Sequence, residues 1–121
     1  MERLIYQQRM NWKSLDRVEQ LKEIDVLSEN KPVLIFKHST RCSVSAAALD
    51  RLERQPGELP TTSNFFLDLI ANRAVSNEVA SRYDVIHESP QALIIYKGKA
   101  VHVTSHFDIN WTDLKKAAEV I

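Results

Sequence analysis

Cys42 is the only cysteine in this 121-residue chain, so any thiol chemistry runs through one sulfur. Lys37, His38 and Arg41 precede it, and Ser43 and Ser45 follow it. A structural cysteine packs among apolar groups as a small hydrophobe. Cys42 instead has cations and hydroxyls beside it in sequence. Val44, Ala48 and Leu52 then recur at i, i+4 and i+8, so the cysteine stands where a helix begins. The unsatisfied N–H groups and positive dipole end of a helix start favour a thiolate. These residues predict thiol–disulfide exchange, in which a thiolate attacks well and also leaves well. With one cysteine, no intramolecular disulfide closes and every zinc site needing two thiolates is excluded.

The second marker is Pro90. It stands just before a β-favouring run at 92–96 and is a candidate cis-proline. A cis bond there would turn the Ser89 backbone toward Cys42, where it could pair with an extended thiol substrate as a short strand. His87-Glu88-Ser89-Pro90-Gln91 opens like a metalloprotease motif. Gln91 replaces the second histidine, however, and Pro90 forbids the helix. His102 and His106 lie on or just past a strand, where four residues span about 13 Å, too far to share a metal. No metal site is predicted.

Composition narrows the class. Hydrophobic residues make up 44% and charged residues 26%, enough for one core without staples. Sixteen basic and sixteen acidic side chains balance, which argues against nucleic acid or an anionic membrane as a partner. Two glycines, Gly57 and Gly98, are too few for a dinucleotide fingerprint or a phosphate loop. No apolar run reaches membrane-spanning length, and the first nine residues do not read as a signal peptide. A reduced, cytoplasmic protein is expected, with Asn110-Trp111-Thr112 a chance sequon.

The elements that must position the cysteine follow from periodicity. A helix is expected over about 15–27, capped by Ser14, with Leu15, Val18, Leu21 and Ile24 on its apolar face. Val33-Leu34-Ile35-Phe36 reads as a central strand, and residues 38–41 as a polar loop. After the helix from Cys42 comes a surface loop at 55–60 and a second central strand at 65–69, which together make a βαβ unit. Asn72 caps a helix carrying Val75, Val79 and Tyr83. Strands at 92–96 and 100–104 flank Lys97-Gly98 as a hairpin, and a last helix starts near Asn110 with Trp111, Leu114, Ala118 and Ile121 inward. The order α-βαβ-α-ββα predicts an α/β, single-domain thioredoxin-like fold, a mixed sheet flanked by helices. Residues 11–121 form this domain and 1–10 an N-terminal extension. Trp12 has no assigned place.

Two runs carry a family resemblance, Phe36-Lys37-His38-Ser39-Thr40-Arg41-Cys42-Ser43-Val44-Ser45 and His87-Glu88-Ser89-Pro90-Gln91. They resemble the YtxJ-type monothiol bacilliredoxins, and the similarity extends over nearly all of the chain from Asn11. Residues 1–9 lie outside it, and Met10 is a candidate start. The resemblance implies a thioredoxin fold and an oxidoreductase of the thiol stress response. Its cysteine, Cys42, removes bacillithiol from mixed disulfides on S-thiolated client proteins. Ser45 holds the place of the resolving cysteine in dithiol relatives, so the Cys42 mixed disulfide must be cleared by a second thiol or a recycling reductase. Ser43 N–H, Val44 N–H and the Ser45 hydroxyl are candidates to stabilise the thiolate. Arg41, and less so Lys37, are candidates to meet carboxylates on the incoming thiol, with Ser89 and Pro90 as the backbone wall. No tightly bound cofactor is implied; bacillithiol is the exchanged thiol, and glutathione or coenzyme A are alternatives to it. The competing reading is a thioredoxin-fold binding module, redox-silent or holding an iron–sulfur cluster. Against the cluster, Ser43-Val44 stands where the cluster signature Cys-Gly-Phe-Ser has Gly-Phe.

Overall fold

A strand apolar at every position must be covered on both faces, and the run from Val33 meets that condition. In the computed structural model, which describes residues 10–54 and 63–119, it extends to His38 with all six residues buried. In chain order the strands are β1 (Lys13–Ser14), β2 (Val33–His38), β3 (Ser63–Asp68), β4 (Gln91–Tyr96) and β5 (Lys99–Ser105). The helices are α1 (Gln20–Ser28), α2 (Ser43–Arg54), α3 (Arg73–Arg82) and α4 (Trp111–Glu119), with a 3-10 turn at His106–Asp108.

The sheet order is β1-β3-β2-β4-β5. β1 and β2 both run parallel to β3, and β4 and β5 complete the sheet antiparallel. The expected βαβ unit is β2–α2–β3, with Ile35 opposite Phe65. The hairpin turn has Lys97 at φ 51° and Gly98 at φ 73°, two left-handed residues that match the twist of the strands. This is the expected α/β, thioredoxin-like architecture, a mixed sheet flanked by helices.

Strand alternation divides the core in two. Val33, Ile35, Phe65, Leu67, Leu93 and Ile95 pack against Leu21 and Ile24 of α1 and Val75, Val79 and Tyr83 of α3. Leu34, Phe36, Ala92 and Ile94 face Ala48 and Leu52 of α2 and Leu114 of α4. Trp12 joins the second face: its ring lies 5.8 Å from both Phe36 and Phe66, and its Nε1–H donates to Glu53 at 3.1 Å.

Three local expectations need correction. The first helix starts at Gln20, not near Leu15, and Ser14 lies in β1 rather than capping it. Leu15 N–H donates to Phe66 O at 2.8 Å, so Leu15 extends the sheet edge while still burying its side chain. Gln20 closes the turn instead: its Oε1 accepts from Asp16 N–H and Arg17 N–H, and its Nε2 donates to Ser14 O. Asn72 occupies the N-cap of α3 with no capping side-chain bond; its Nδ2 donates back to Asp68 O. His38 belongs to β2, not to the following loop. The last helix starts next to Asn110 as expected, and Asn110 Oδ1 accepts Asp113 N–H at 2.8 Å before α4. The loop at 55–60 and Ile121 lie outside the described residues.

Candidate active site

β2 ends at His38, and a four-residue turn carries the chain to the head of α2. Cys42 N–H donates to Ser39 O at 3.2 Å, and Cys42 O accepts Ala46 N–H at 3.0 Å. Cys42 thus occupies the N-cap position, half-buried, one residue before the first helical residue. Arg41 and Ser43 on either side are exposed, and Val44 is half-buried.

Ser45 is fully buried and begins the inward stripe of α2 with Ala48 and Leu52. Its Oγ accepts Ser39 N–H at 3.0 Å and lies 2.7 Å from His38 Nδ1. The hydroxyl therefore ties the head of α2 to the end of β2. The His38 ring stacks on Phe36 and leans on Phe66 at 5.3 Å. Burial lowers its pKa below the ordinary histidine value, with Asp68 opposing in part.

Lys37 is not the solvent-facing cation its neighbours suggest. Alternation along β2 puts it on the same face as Val33 and Ile35, and it has 0% exposure. Its Nζ donates to Ser76 O at 3.3 Å and meets His87 Nδ1 at 3.2 Å. Burial lowers its pKa from 10.5 to about 8. A role for Lys37 in meeting a ligand carboxylate at the surface is excluded by that burial.

The loop before β4 closes the other side. Its Ser89–Pro90 bond is cis, and Pro90 is buried. Gln91 pairs with Lys37 in the sheet register, so Pro90 abuts the end of β2 from which the Cys42 turn departs. Several bonds fasten this loop. Gln91 Nε2 donates to Ile86 O at 2.9 Å, Ser105 Oγ donates to Glu88, and His106 N–H donates to Pro90 O at 3.0 Å. Ser76 Oγ also lies 3.4 Å from His87 Nδ1. His87 has a lowered pKa, from burial first and then from Lys37 and Arg73, with Glu88 opposing. Arg51 Nη2 donates to Ile109 O at 2.9 Å, joining α2 to the segment before α4.

Sequence reasoning located the Cys42 turn and the Ser89–Pro90 loop but missed the two histidine contacts, His38–Ser45 and Lys37–His87. No periodic signal marked them: the β2 run is apolar at every position from Val33 to Phe36, and Lys37 and His38 break that run while staying in the strand. Among the described residues, no group of three or more His, Cys, Asp or Glu side chains is gathered that could hold a metal. No helix among them is long and apolar enough to cross a membrane.

The chain matches a family model described as monothiol bacilliredoxin BrxC over residues 13–114. It is similar to a solved structure described as having a thioredoxin fold, at 31% identity over 93% of this chain and 96% of that one, with a TM-score of 0.74. Thioredoxins from Fasciola hepatica and Trypanosoma brucei brucei are each 18% identical with TM-scores of 0.67. They cover 89% of this chain and 97% and 88% of their own, a likeness of fold alone. A single cysteine at the head of α2 allows exchange but no internal disulfide, and with the match over most of its length the chain belongs to the monothiol bacilliredoxin family, as a monothiol thiol–disulfide oxidoreductase.

Proposed function

We propose that the protein removes bacillithiol from mixed disulfides on client proteins, with Cys42 as the nucleophile. The observation that carries this reading is a half-buried Cys42 at the N-cap of α2, in the turn that leaves the end of β2 beside which the Ser89–Pro90 loop enters β4. The Cys42 thiolate attacks the bacillithiol sulfur, the client sulfur leaves as a thiolate, and the disulfide now joins Cys42 to bacillithiol. A second small thiol then attacks that disulfide, restoring Cys42 and releasing a small-molecule disulfide to a recycling reductase. Disulfides are conserved at each step.

The first-turn N–H groups of Ser43 and Val44 have no carbonyl one turn back to bond, and they serve the sulfur. Ser45 acts through position, holding the turn by its bonds to Ser39 and His38. Arg41, exposed beside the sulfur, meets a carboxylate of the incoming thiol. The Ser89 backbone lines the opposite side, against Pro90. Chemistry that needs a reduced thiol pool fits a cytoplasmic setting. The test uses one client protein carrying bacillithiol and a matched one carrying glutathione, each mixed with wild type and Cys42→Ser and followed by intact mass. Transfer to the wild type only, faster from bacillithiol, is expected. No transfer from either client would overturn the reading.

A further inference from the structure

Lys37 carries an amine with no solvent exposure. Burying an ammonium is costly unless it is paired, and among the described residues its Nζ meets no carboxylate. Its partners are a helix carbonyl, Ser76 O, and the His87 imidazole. An unbranched apolar side chain would fill the same space without that cost, so the contribution of the amine lies in what it bonds.

Those bonds reach three elements. Lys37 stands on β2, Ser76 on α3, and His87 in the loop that leads to Ser89 and Pro90. The outer side of this loop is fastened to β5 and the 3-10 turn through Glu88 and Pro90. Its inner side is fastened through His87, by Lys37 Nζ at 3.2 Å and Ser76 Oγ at 3.4 Å. We propose that Lys37 is a positioning residue for the exchange reaction: from inside the core it bonds His87 and thereby holds the Ser89 backbone in place for the incoming disulfide. The inference rests on the function proposed above for the role of Ser89. The contact requires His87 Nδ1 to accept, hence a neutral imidazole. The lowered pKa of His87, set by burial, Lys37 and Arg73 against Glu88, favours that neutral form.

The test compares wild type with Lys37→Met, His87→Leu and His87→Asn. The asparagine keeps an acceptor near the place of Nδ1, whereas the leucine does not. In Lys37→Met and His87→Leu, KM for the bacillithiol-bearing client should rise about five- to tenfold while kcat stays within about twofold, since a positioned wall supplies binding. Alkylation of Cys42 by iodoacetamide, which needs no client, should stay within about twofold in every variant. His87→Asn should restore KM to near the wild-type value. Hydrogen exchange at the Glu88 and Ser89 amides should speed up about tenfold in Lys37→Met and His87→Leu. Because His87 is exposed, its variants keep the test sound even if Lys37→Met folds poorly. Unchanged KM and unchanged exchange would overturn the proposal, as would a fall in kcat and alkylation at constant KM. A wild type inactive on the client would overturn the proposed function instead. Amide exchange would then decide the hold on the loop by itself: faster exchange upholds it, equal exchange refutes it.

Discussion

Lys37 should leave a signature in the pH dependence of stability. Its pKa falls from 10.5 to about 8 in the folded protein because burial disfavours the charged form. Between those values the unfolded chain binds more protons than the folded one, so stability rises with pH. Below about pH 8 both states are protonated and the burial penalty is present in full. Above about 10.5 both are neutral and it is gone. The slope within the window approaches about 1.4 kcal/mol per pH unit. Urea denaturation of wild type and Lys37→Met between pH 7 and 10 should show the difference between them shifting toward wild type as pH rises. A pH-independent difference would refute the assignment. The same residue marks the limit of reading residues one at a time. Cys42 and Pro90 were legible because few roles suit a lone thiol at a helix start or a proline at a strand start. His38 read as loop polarity and Lys37 as a cation near the thiol, because a charged side chain inside a two-sided strand contradicts the rule by which such strands are found.

At the scale of elements, the joint between β2 and α2 depends on Ser45. Its buried hydroxyl satisfies Ser39 N–H and reaches His38 Nδ1, so the turn bearing Cys42 is closed from beneath. Ser45→Ala leaves that buried N–H without its acceptor and should cost about 1–3 kcal/mol. Ser45→Cys should lose stability in the same direction, because sulfur is a weak acceptor. Urea midpoints with unchanged m-values would measure both, and a Ser45→Ala variant as stable as wild type would show that the joint does not depend on this bond. The four longer strands and the hairpin were legible as elements, since the apolar runs and Lys97-Gly98 each allow few alternatives, whereas β1 at Lys13–Ser14 was not. The start of α1 was not. Leu15, Val18 and Leu21 fit a helical template, yet Leu15 is buried from an extended segment whose N–H bonds Phe66 O, and Val18 is 38% exposed. Side-chain spacing does not register that the Gln20 amide has replaced the Ser14 cap.

In the whole molecule the sheet separates two packed faces, and each draws on distant parts of the chain. Met10, placed in an extension by its sequence, has 0% exposure and packs with Leu34, Phe36, Ile94 and Leu114. Its carbonyl accepts a bond from Asn64 Nδ2. A single methionine outside any periodic run carries no pattern, so its burial could not be read from spacing. Met10→Ala should open a cavity on the α2 and α4 face and cost about 2–5 kcal/mol. Ile24→Val, on the opposite face under α1, should cost about 0.5–1.5 kcal/mol. These side chains belong to separate clusters and share the sheet without sharing a cavity, so the double variant should lose the sum to within about 0.5 kcal/mol. Chemical denaturation of the four proteins measures this directly. A larger departure would mean that β2, common to both faces, shifts when either is emptied, and the strand that leads to Cys42 would then transmit strain from one side of the sheet to the other.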